Sequence, residues 1–377
     1  MRFMTSVVYR RNDKGQTVQW RAWAEEVDGV AHLCTEFGHV DGGLRRTKRE
    51  VTKAGREASL FDKAKHDAVK KWRDKQDKEG YVESLDAVDN VPVLPMLANK
   101  AVLLPDKDAV KGLEWPCLAQ PKIDGFRCIA SLSGPSVQLL SRKNIPYMGF
   151  ARLRGALGAV ARPDSGFGSG RFYLDGELFV PDVDFNALSG LVKRGQHNAE
   201  YDIDNLQFRI FDCFDLDHMD VPFATRMRFL STFAAPGCSV LETVSVEGLD
   251  AVHERMQAYL AEGHEGLMLR CPRSPYVLRK RSTKLLKLKE FHDNEFVISS
   301  FKEGAGDDRG TVVWECTTEA GRTFWVRPKG TREDRARMFE NAAEFVGKRL
   351  TVTYQELSKD GIPRFPVGKA IREPFDA

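Results

Sequence analysis

Lys122, Asp124, Gly125 and Arg127 form the first of five short charged groups that fall in one order along this chain. The others are Ser141-Arg142, Asp175-Gly176-Glu177, Glu265-Gly266, and Lys287 with Lys289. A lysine amine is a nucleophile only without its proton, and at an ordinary pKa near 10.4 roughly one molecule in a few thousand is neutral at pH 7. A site that uses Lys122 to attack a nucleotide phosphate must therefore depress that value. Arg127, Lys287 and Lys289 are expected to do so, because neighbouring cations disfavour a further positive charge. A depression of about two to three pH units corresponds to roughly 3 to 4 kcal/mol. The same cations would neutralise a polyphosphate attacked at its α-phosphorus, so one set of residues serves activation and transition-state binding.

The carboxylates Asp124, Glu177 and Glu265 then read as ligands of Mg2+ or Mn2+, or as acceptors of ribose hydroxyls. Phosphoryl transfer rests on positioning plus a divalent ion, and such ions take oxygen ligands. A zinc site is not indicated. The seven cysteines are scattered without a CxxC pair and read as reduced core residues, and His264 lacks HExxH spacing. Gly166, Gly168 and Gly170 imitate a phosphate-cradling loop, but a strand is expected after them rather than a helix. Gly304 and Gly306 with Asp307-Asp308 read as a hairpin tip. Asp124-Gly125 and Asp175-Gly176 both sit between apolar runs, so each has a competing reading as a hairpin turn.

The elements that must position these residues fall into two or three domains, given 377 residues. Strands are expected at Val7–Tyr9, Val18–Ala24 and Ala31–Phe37, with a turn at Asp41-Gly42-Gly43 and a helix from Arg56 to Gln76 that Gly80 would end. Glu83 to Asn90, followed by Pro92 and Pro95, marks a boundary. From there strands alternate irregularly with helices: Cys117–Lys122, Phe126–Leu132, Val137–Leu140, Phe172–Val180, Leu206–Phe214 and Gly266–Arg270, with helices at Arg226–Ala234 and Leu249–Glu262. After Glu290 short strands and one helix, Arg332–Ala343, suit a five-stranded barrel of the OB type. The fold class is thus α+β and multidomain.

Net charge is +3, but Leu44–Lys78 alone carries +7 and the remainder −4. A second cluster places Arg279, Lys280, Arg281, Lys284, Lys287 and Lys289 within eleven residues. Clustered cations favour a polyanion, and nucleic acid is the commonest. A solvated helix face is the competing reading of the first cluster. The sequence shows no apolar signal segment and no run of about 18 apolar residues, so a cytoplasmic protein without membrane contact is expected. A monomer is the default.

In these motifs the chain resembles the covalent nucleotidyltransferases, specifically ATP-dependent DNA ligases of the small type found in phages and viruses. The resemblance covers residues 93–377. It implies that Lys122, in "AQPKIDGFR", becomes adenylylated by ATP, that Gln120 reads the adenine, and that Arg127 contacts the nucleotide or the nick phosphate. Arg142 in "SRKN" would bind the 5′-phosphate of a nick. Glu177 would hold ribose or metal, Phe211 in "FRIFDCF" would stack on adenine, and Glu265 would ligate metal. Lys287 and Lys289 would contact the α-phosphate. Arg364 and Arg372, in the tail "GIPRFPVGKAIRE", would orient pyrophosphate, although the longer RxDK form of that motif is missing. No long latch is inserted in the barrel. Trp20, Phe37-Gly38, the Asp41-Gly42-Gly43 turn and the helix ending at Gly80-Tyr81 resemble a WGR domain without its Trp-Gly-Arg triplet; an unrelated basic DNA-binding appendage is the alternative.

The expected layout is a basic WGR-like domain at 1–82, a linker at 83–92, a nucleotidyltransferase domain at 93–291 and an OB-fold domain at 292–377. The expected partner is nicked duplex DNA, gripped through Arg45, Arg46, Lys48, Arg49, Arg142, Arg279 and Arg281. An RNA ligase or a GTP-using capping guanylyltransferase has related chemistry and is the alternative.

Overall fold

A computed structural model describes residues 1–12, 15–55, 57–89, 91–101, 113–133, 137–358 and 360–372. The chain divides into two compact units, Met1–Lys287 and Leu288–Ala377. Arg56, where the first helix was expected to start, Asn90 in the linker, and Glu373 at the end of the tail motif lie outside the described residues.

The first sheet of the first unit runs in the order Arg2–Met4, Thr17–Val27, Val30–His39, Leu44–Glu50, with Val8–Arg11 also pairing along Thr17–Val27. Leu44–Glu50 was not foreseen as a strand. Its seven residues are all exposed and mostly charged, a composition that sequence patterning assigns to a solvated segment but that also protects a sheet edge from association. The helix Leu60–Glu79 begins where the Ser59 hydroxyl accepts from the Asp62 amide, a cap worth about 1 kcal/mol. It ends at Gly80, whose φ of 75° suits a residue without a Cβ. Its small residues Ala64 and Ala68 let the helix lie close to Val8, Ala22 and Leu33 in one apolar cluster.

Two further five-stranded sheets carry the rest of the unit. One runs Cys238–Val240, Gln207–Asp215, Phe172–Phe179, Phe126–Ser131, Gln138–Ser141. The other runs Val244–Val246, Cys117–Lys122, Gly266–Arg270, Arg281–Lys289, Leu97–Ala101. A cluster of Met96, Ile129, Leu140, Tyr173, Phe214, Tyr276 and Leu285 joins them. A larger cluster binds the helices Ala151–Gly158, Phe185–His197 and Phe223–Leu230 to the first of these sheets, through Leu153, Leu157, Leu188, Val192 and Leu230. The first two helices escaped sequence reading. Glycines at 155, 190 and 195 dilute their apolar stripe, and Gly195 is required because a Cβ there would stand 2.3 Å from the Phe150 ring.

Neither Asp-Gly pair is a hairpin turn. Asp124-Gly125 lies in the link that carries the chain from the end of Cys117–Lys122 in one sheet to the start of Phe126–Ser131 in the other. Asp175-Gly176 lies inside the strand Phe172–Phe179, at a register shift against Gln207–Asp215. The glycine-rich stretch at 166–170 is a loop before a strand, as expected.

The second unit is a closed barrel in the order His292–Glu303, Val312–Thr317, Thr323–Pro328, Val367–Ile371, Arg349–Tyr354 around a core containing Trp314, Ile298 and Val352. The helix Arg332–Glu340 opens with a Thr331–Asp334 capping box. Among the described residues, no helix is long and apolar enough to cross a membrane.

Candidate active site

Lys122 is the last residue of its strand, and antiparallel pairing sets it opposite Gly266. The Glu265 amide donates to the Lys122 carbonyl at 3.0 Å, and the Glu265 carboxylate forms an ion pair with Nζ of Lys122. Two motifs 143 residues apart thus meet by strand register alone. Beyond Lys122 the chain must pass between sheets in very little space. A Cβ on Gly125 would stand 2.4 Å from the Leu178 carbonyl and 2.7 Å from Cγ of Glu177, so only glycine fits.

A cavity of ≈170 Å³ opens at this point. Gln120, Lys122, Arg127, Arg142, Glu177, Phe211, Arg281 and Lys287 line it, with Met268, Arg270 and Leu285. Four of the five motif groups, with Arg281 of the second basic cluster, therefore share one pocket wall, and Glu265 of the remaining group reaches it through its pair with Lys122. The Lys122 amine is driven below its ordinary value chiefly by burial; Glu177 and Asp124 oppose this and Arg127 assists. Cation crowding, the cause expected from sequence, is secondary. Lys287 is lowered by burial and then by Lys122, Lys100, Arg281 and Arg142. Arg142 is lowered by burial and by Arg127 and Arg281. The pocket concentrates cations that repel one another, which is an electrostatic demand for an anion.

Glu177 is pushed up to about 7, by burial first, with Asp175 and Asp124 adding to the rise and Lys122 and Arg127 pulling it down. Among the described residues, no three His, Cys, Asp or Glu side chains gather closely enough to hold a metal on their own. Asp124, Glu177 and Glu265 all present oxygen, as a hard cation requires, and such ions commonly take one or two carboxylates plus substrate phosphates.

Beside the pocket lies a layer of buried ions in which the motif residues Arg127 and Asp175 take part and in which Asp212, Arg226, Arg270 and Tyr276 had no role assigned from the motifs. Arg127 forms a bidentate pair with Asp175, at 2.7 and 2.6 Å, and also donates to the Met96 carbonyl. Burial opposes the Arg127 charge, but Asp175 overrides it and the guanidinium holds its proton more tightly than usual. Tyr276 donates to the same Asp175. Asp212 is fully buried between Arg226 and Arg270, and these pull it below the usual carboxylate range against the effect of burial. The Phe211 ring is approached by Arg127 at 5.0 Å and Arg270 at 5.6 Å. One signal was available in the sequence: Asp212 interrupts an aromatic run, Phe208 to Phe214, where an unpaired charge has no place.

Other expected residues lie elsewhere. Arg279 does not stand free: its guanidinium donates to the Gln76 carbonyl at the end of the first helix and to the Pro92 carbonyl. Lys289 donates to Gln355 at 2.9 Å, Arg364 pairs with Glu356 at 2.6 Å and Arg372 with Glu295 at 2.8 Å, all in the barrel unit. Arg45, Arg46, Lys48 and Arg49 share the exposed edge strand. Three of them reach acids, Arg46 to Glu36, Lys48 to Glu25 and Arg49 to Asp67. The cations of these pairs stay about half exposed or more, while Glu36 is buried and is also paired with Arg21.

A family model described as ATP dependent DNA ligase domain matches residues 95–289, and one described as DNA ligase OB-like domain matches residues 311–372. The DNA ligase of African swine fever virus is 28% identical over 374 residues, spanning 93% of this chain and 85% of the viral protein. The solved structure "Pmar-Lig_PreS3" has a TM-score of 0.63 at 19% identity, covering 75% of this chain and 68% of that one. A second, "DNA binding with a minimal scaffold: Structure-function analysis of Lig E DNA ligases", has a TM-score of 0.53 at 21% identity, covering 73% of this chain and 100% of that one. These two show likeness of fold. Both family models and the viral relative are of DNA ligases, so the RNA-ligase and guanylyltransferase alternatives are not favoured.

Glu177 makes stability depend on pH in a defined sense. Its carboxyl binds a proton more tightly in the folded protein, at about 7 against an ordinary 4.5, so its contribution is full below the lower value and is lost as pH rises through the upper. Glu177→Gln is expected to gain melting temperature relative to the unsubstituted protein between about pH 5 and about pH 8, and to run parallel to it above that range. Parallel melting curves throughout would show that Glu177 is ionised at all these pH values.

Proposed function

Because this chain belongs to the family of ATP-dependent DNA ligases, we propose that it seals nicks in duplex DNA through AMP held covalently on Lys122. The observation that carries this reading is a half-buried lysine of lowered basicity in a cavity lined by Arg142, Arg281 and Lys287. In the first step the lone pair of the Lys122 Nζ attacks the α-phosphorus of ATP. A phosphorus–nitrogen bond forms, the bond from α-phosphorus to the bridging oxygen breaks, and pyrophosphate leaves with that electron pair. The amine proton is lost to solvent or a phosphate oxygen.

Glu265 has a specific part in this reading. Its ion pair with Lys122 favours the protonated amine, while burial favours the neutral one. Drawing the carboxylate away to another partner removes the acid in direct contact with the amine, leaves Glu177 and Asp124 as the remaining opposition to burial, and favours the free nucleophile. Asp124, Glu177 and Glu265 would hold a divalent ion together with the triphosphate, and that ion, Mg2+ or Mn2+, supplies charge neutralisation at the phosphate oxygens. Phe211 would face the adenine ring, with Arg127 and Arg270 fixing its position rather than binding phosphate themselves. Lys287, with Arg142 and Arg281, would take the phosphate charge. Lys289, Arg364 and Arg372 belong to the barrel unit, where they would serve once their present partners are exchanged.

The AMP then passes from nitrogen to the 5′-phosphate oxygen at a nick, restoring the amine, and the 3′-hydroxyl oxygen displaces AMP to close the strand. The edge strand Leu44–Glu50 and the segment around Arg281 would contact the duplex backbone. Monomeric action in the cytoplasm accords with this reading.

Two outcomes test it. Incubated with α-labelled ATP and magnesium, the protein is expected to retain label after denaturation, and Lys122→Ala to retain less than about a thousandth as much, as for loss of a nucleophile. Label retained by that variant would assign the covalent role elsewhere. Replacing Arg45, Arg46, Lys48 and Arg49 together by alanine is expected to weaken nick binding and to reduce the slope of log affinity against log salt by up to about 3.6, at about 0.9 per phosphate contact. Self-labelling would be unchanged. An unaltered salt slope would mean that this edge faces away from DNA.

A further inference from the structure

Gln120 is fully buried, and its amide is held from one side. Nε2 donates to the Phe211 carbonyl at 3.0 Å and to the Thr243 hydroxyl oxygen at 3.0 Å. A carbonyl only accepts, so the amide group facing Phe211 has to be the NH2. The Thr243 hydroxyl places its own hydrogen on the Leu241 carbonyl at 3.3 Å, so it too meets Gln120 as an acceptor. Two acceptors therefore fix one orientation of the amide. The remaining atom, Oε1, is buried without a hydrogen-bond partner, in a residue that lines the cavity. An unpaired buried acceptor is costly, and a ligand that brings a donor removes that cost.

We propose that Thr243 is a specificity-positioning residue for the nucleobase: by holding Gln120 with its oxygen as the available atom, it makes the pocket select a base with an amino group over one with a carbonyl at that edge. The proposal rests on the reading that the Lys122 cavity takes ATP. Adenine carries an amino donor at its six-position. Inosine triphosphate carries a carbonyl oxygen there and a hydrogen on the neighbouring N1, with the same ribose and triphosphate, so the difference is confined to that edge of the base. Facing Oε1, that carbonyl leaves two buried acceptors unpaired, which is how a polar site rejects an analogue.

Without the Thr243 hydroxyl, the second amide hydrogen of Gln120 is left with the Met227 sulfur at 3.8 Å, a weak acceptor. Only the Phe211 carbonyl then holds the amide firmly, so turning the NH2 toward an acceptor in the cavity costs one strong hydrogen bond instead of two, and the inosine carbonyl supplies such an acceptor where the adenine amino group does not. Neither Phe211 nor any residue near the phosphates changes, so the effect falls on base choice rather than on transfer.

The test is the initial rate of covalent self-labelling from α-labelled ATP and from α-labelled inosine triphosphate, compared as kcat/KM for the unsubstituted protein, Thr243→Val, Thr243→Ala and Thr243→Ser. The unsubstituted protein and Thr243→Ser are expected to prefer ATP, and Thr243→Val to lose about tenfold of that preference, the worth of one hydrogen bond. Thr243→Ala removes the hydroxyl without adding bulk and carries the test if the valine variant does not fold. A merely structural role would lower both rates together and leave their ratio intact. That result, or an unsubstituted protein that does not distinguish the two nucleotides, overturns the proposal. No covalent label from ATP in the unsubstituted protein would instead remove the functional reading on which it stands.

Discussion

The antiparallel pairing of Cys117–Lys122 with Gly266–Arg270 is the constraint on which the site depends. Register is discrete, and a slip of one residue would turn every side chain on the strand to the opposite face. In the observed register Lys122 stands at the strand end beside Glu265, Gln120 enters the cavity two residues earlier, and the alternate residues Leu267 and Leu269 are buried. Lys122, its counter-ion and the buried Gln120 amide are thus set by one ladder of backbone hydrogen bonds. Gly125 then allows the chain to turn immediately into the neighbouring sheet, whose strand Phe172–Phe179 delivers Glu177.

Burial and charge act against each other throughout this site, and the balance decides which groups are reactive. The cations lining the cavity, Lys122, Arg142 and Lys287, are all lowered by burial. Arg127 is raised instead, because Asp175 compensates it. The buried pairs Arg127–Asp175 and Arg226–Asp212–Arg270 are consequently structural supports: removing one partner from such a group costs about 3 to 5 kcal/mol, because a charge is left uncompensated. What faces the cavity is left deficient in negative charge, which a triphosphate supplies.

Much of this was legible in the sequence because the residues that line the cavity lie in short motifs of unusual charge. The strands bearing Lys122, Glu177 and Gly266 were read almost to the residue, since apolar residues adjoin each motif. The unread parts had physical reasons. Leu44–Glu50 lacks apolar alternation because it is an edge. The helix Phe185–His197 carries glycines that its packing requires. Arg279 and Lys289 looked like members of one cationic surface, but their partners, Gln76 and Gln355, are distant in sequence and no local pattern predicts them. Thr243 escaped for the same reason, since its significance lies in a hydrogen bond to a residue 123 positions away. The matched family models span 95–289 and 311–372, so the WGR likeness of the first 82 residues rests on its sequence features.

The central claim is that Lys122 itself carries the nucleotide. The most direct measurement is peptide mapping by mass spectrometry after incubation with ATP and magnesium under conditions that preserve a phosphorus–nitrogen bond. The account predicts the mass of AMP on the peptide containing Lys122, lost on treatment with acid or with excess pyrophosphate. AMP on a different residue, or a protein that binds ATP and remains unmodified, would contradict it.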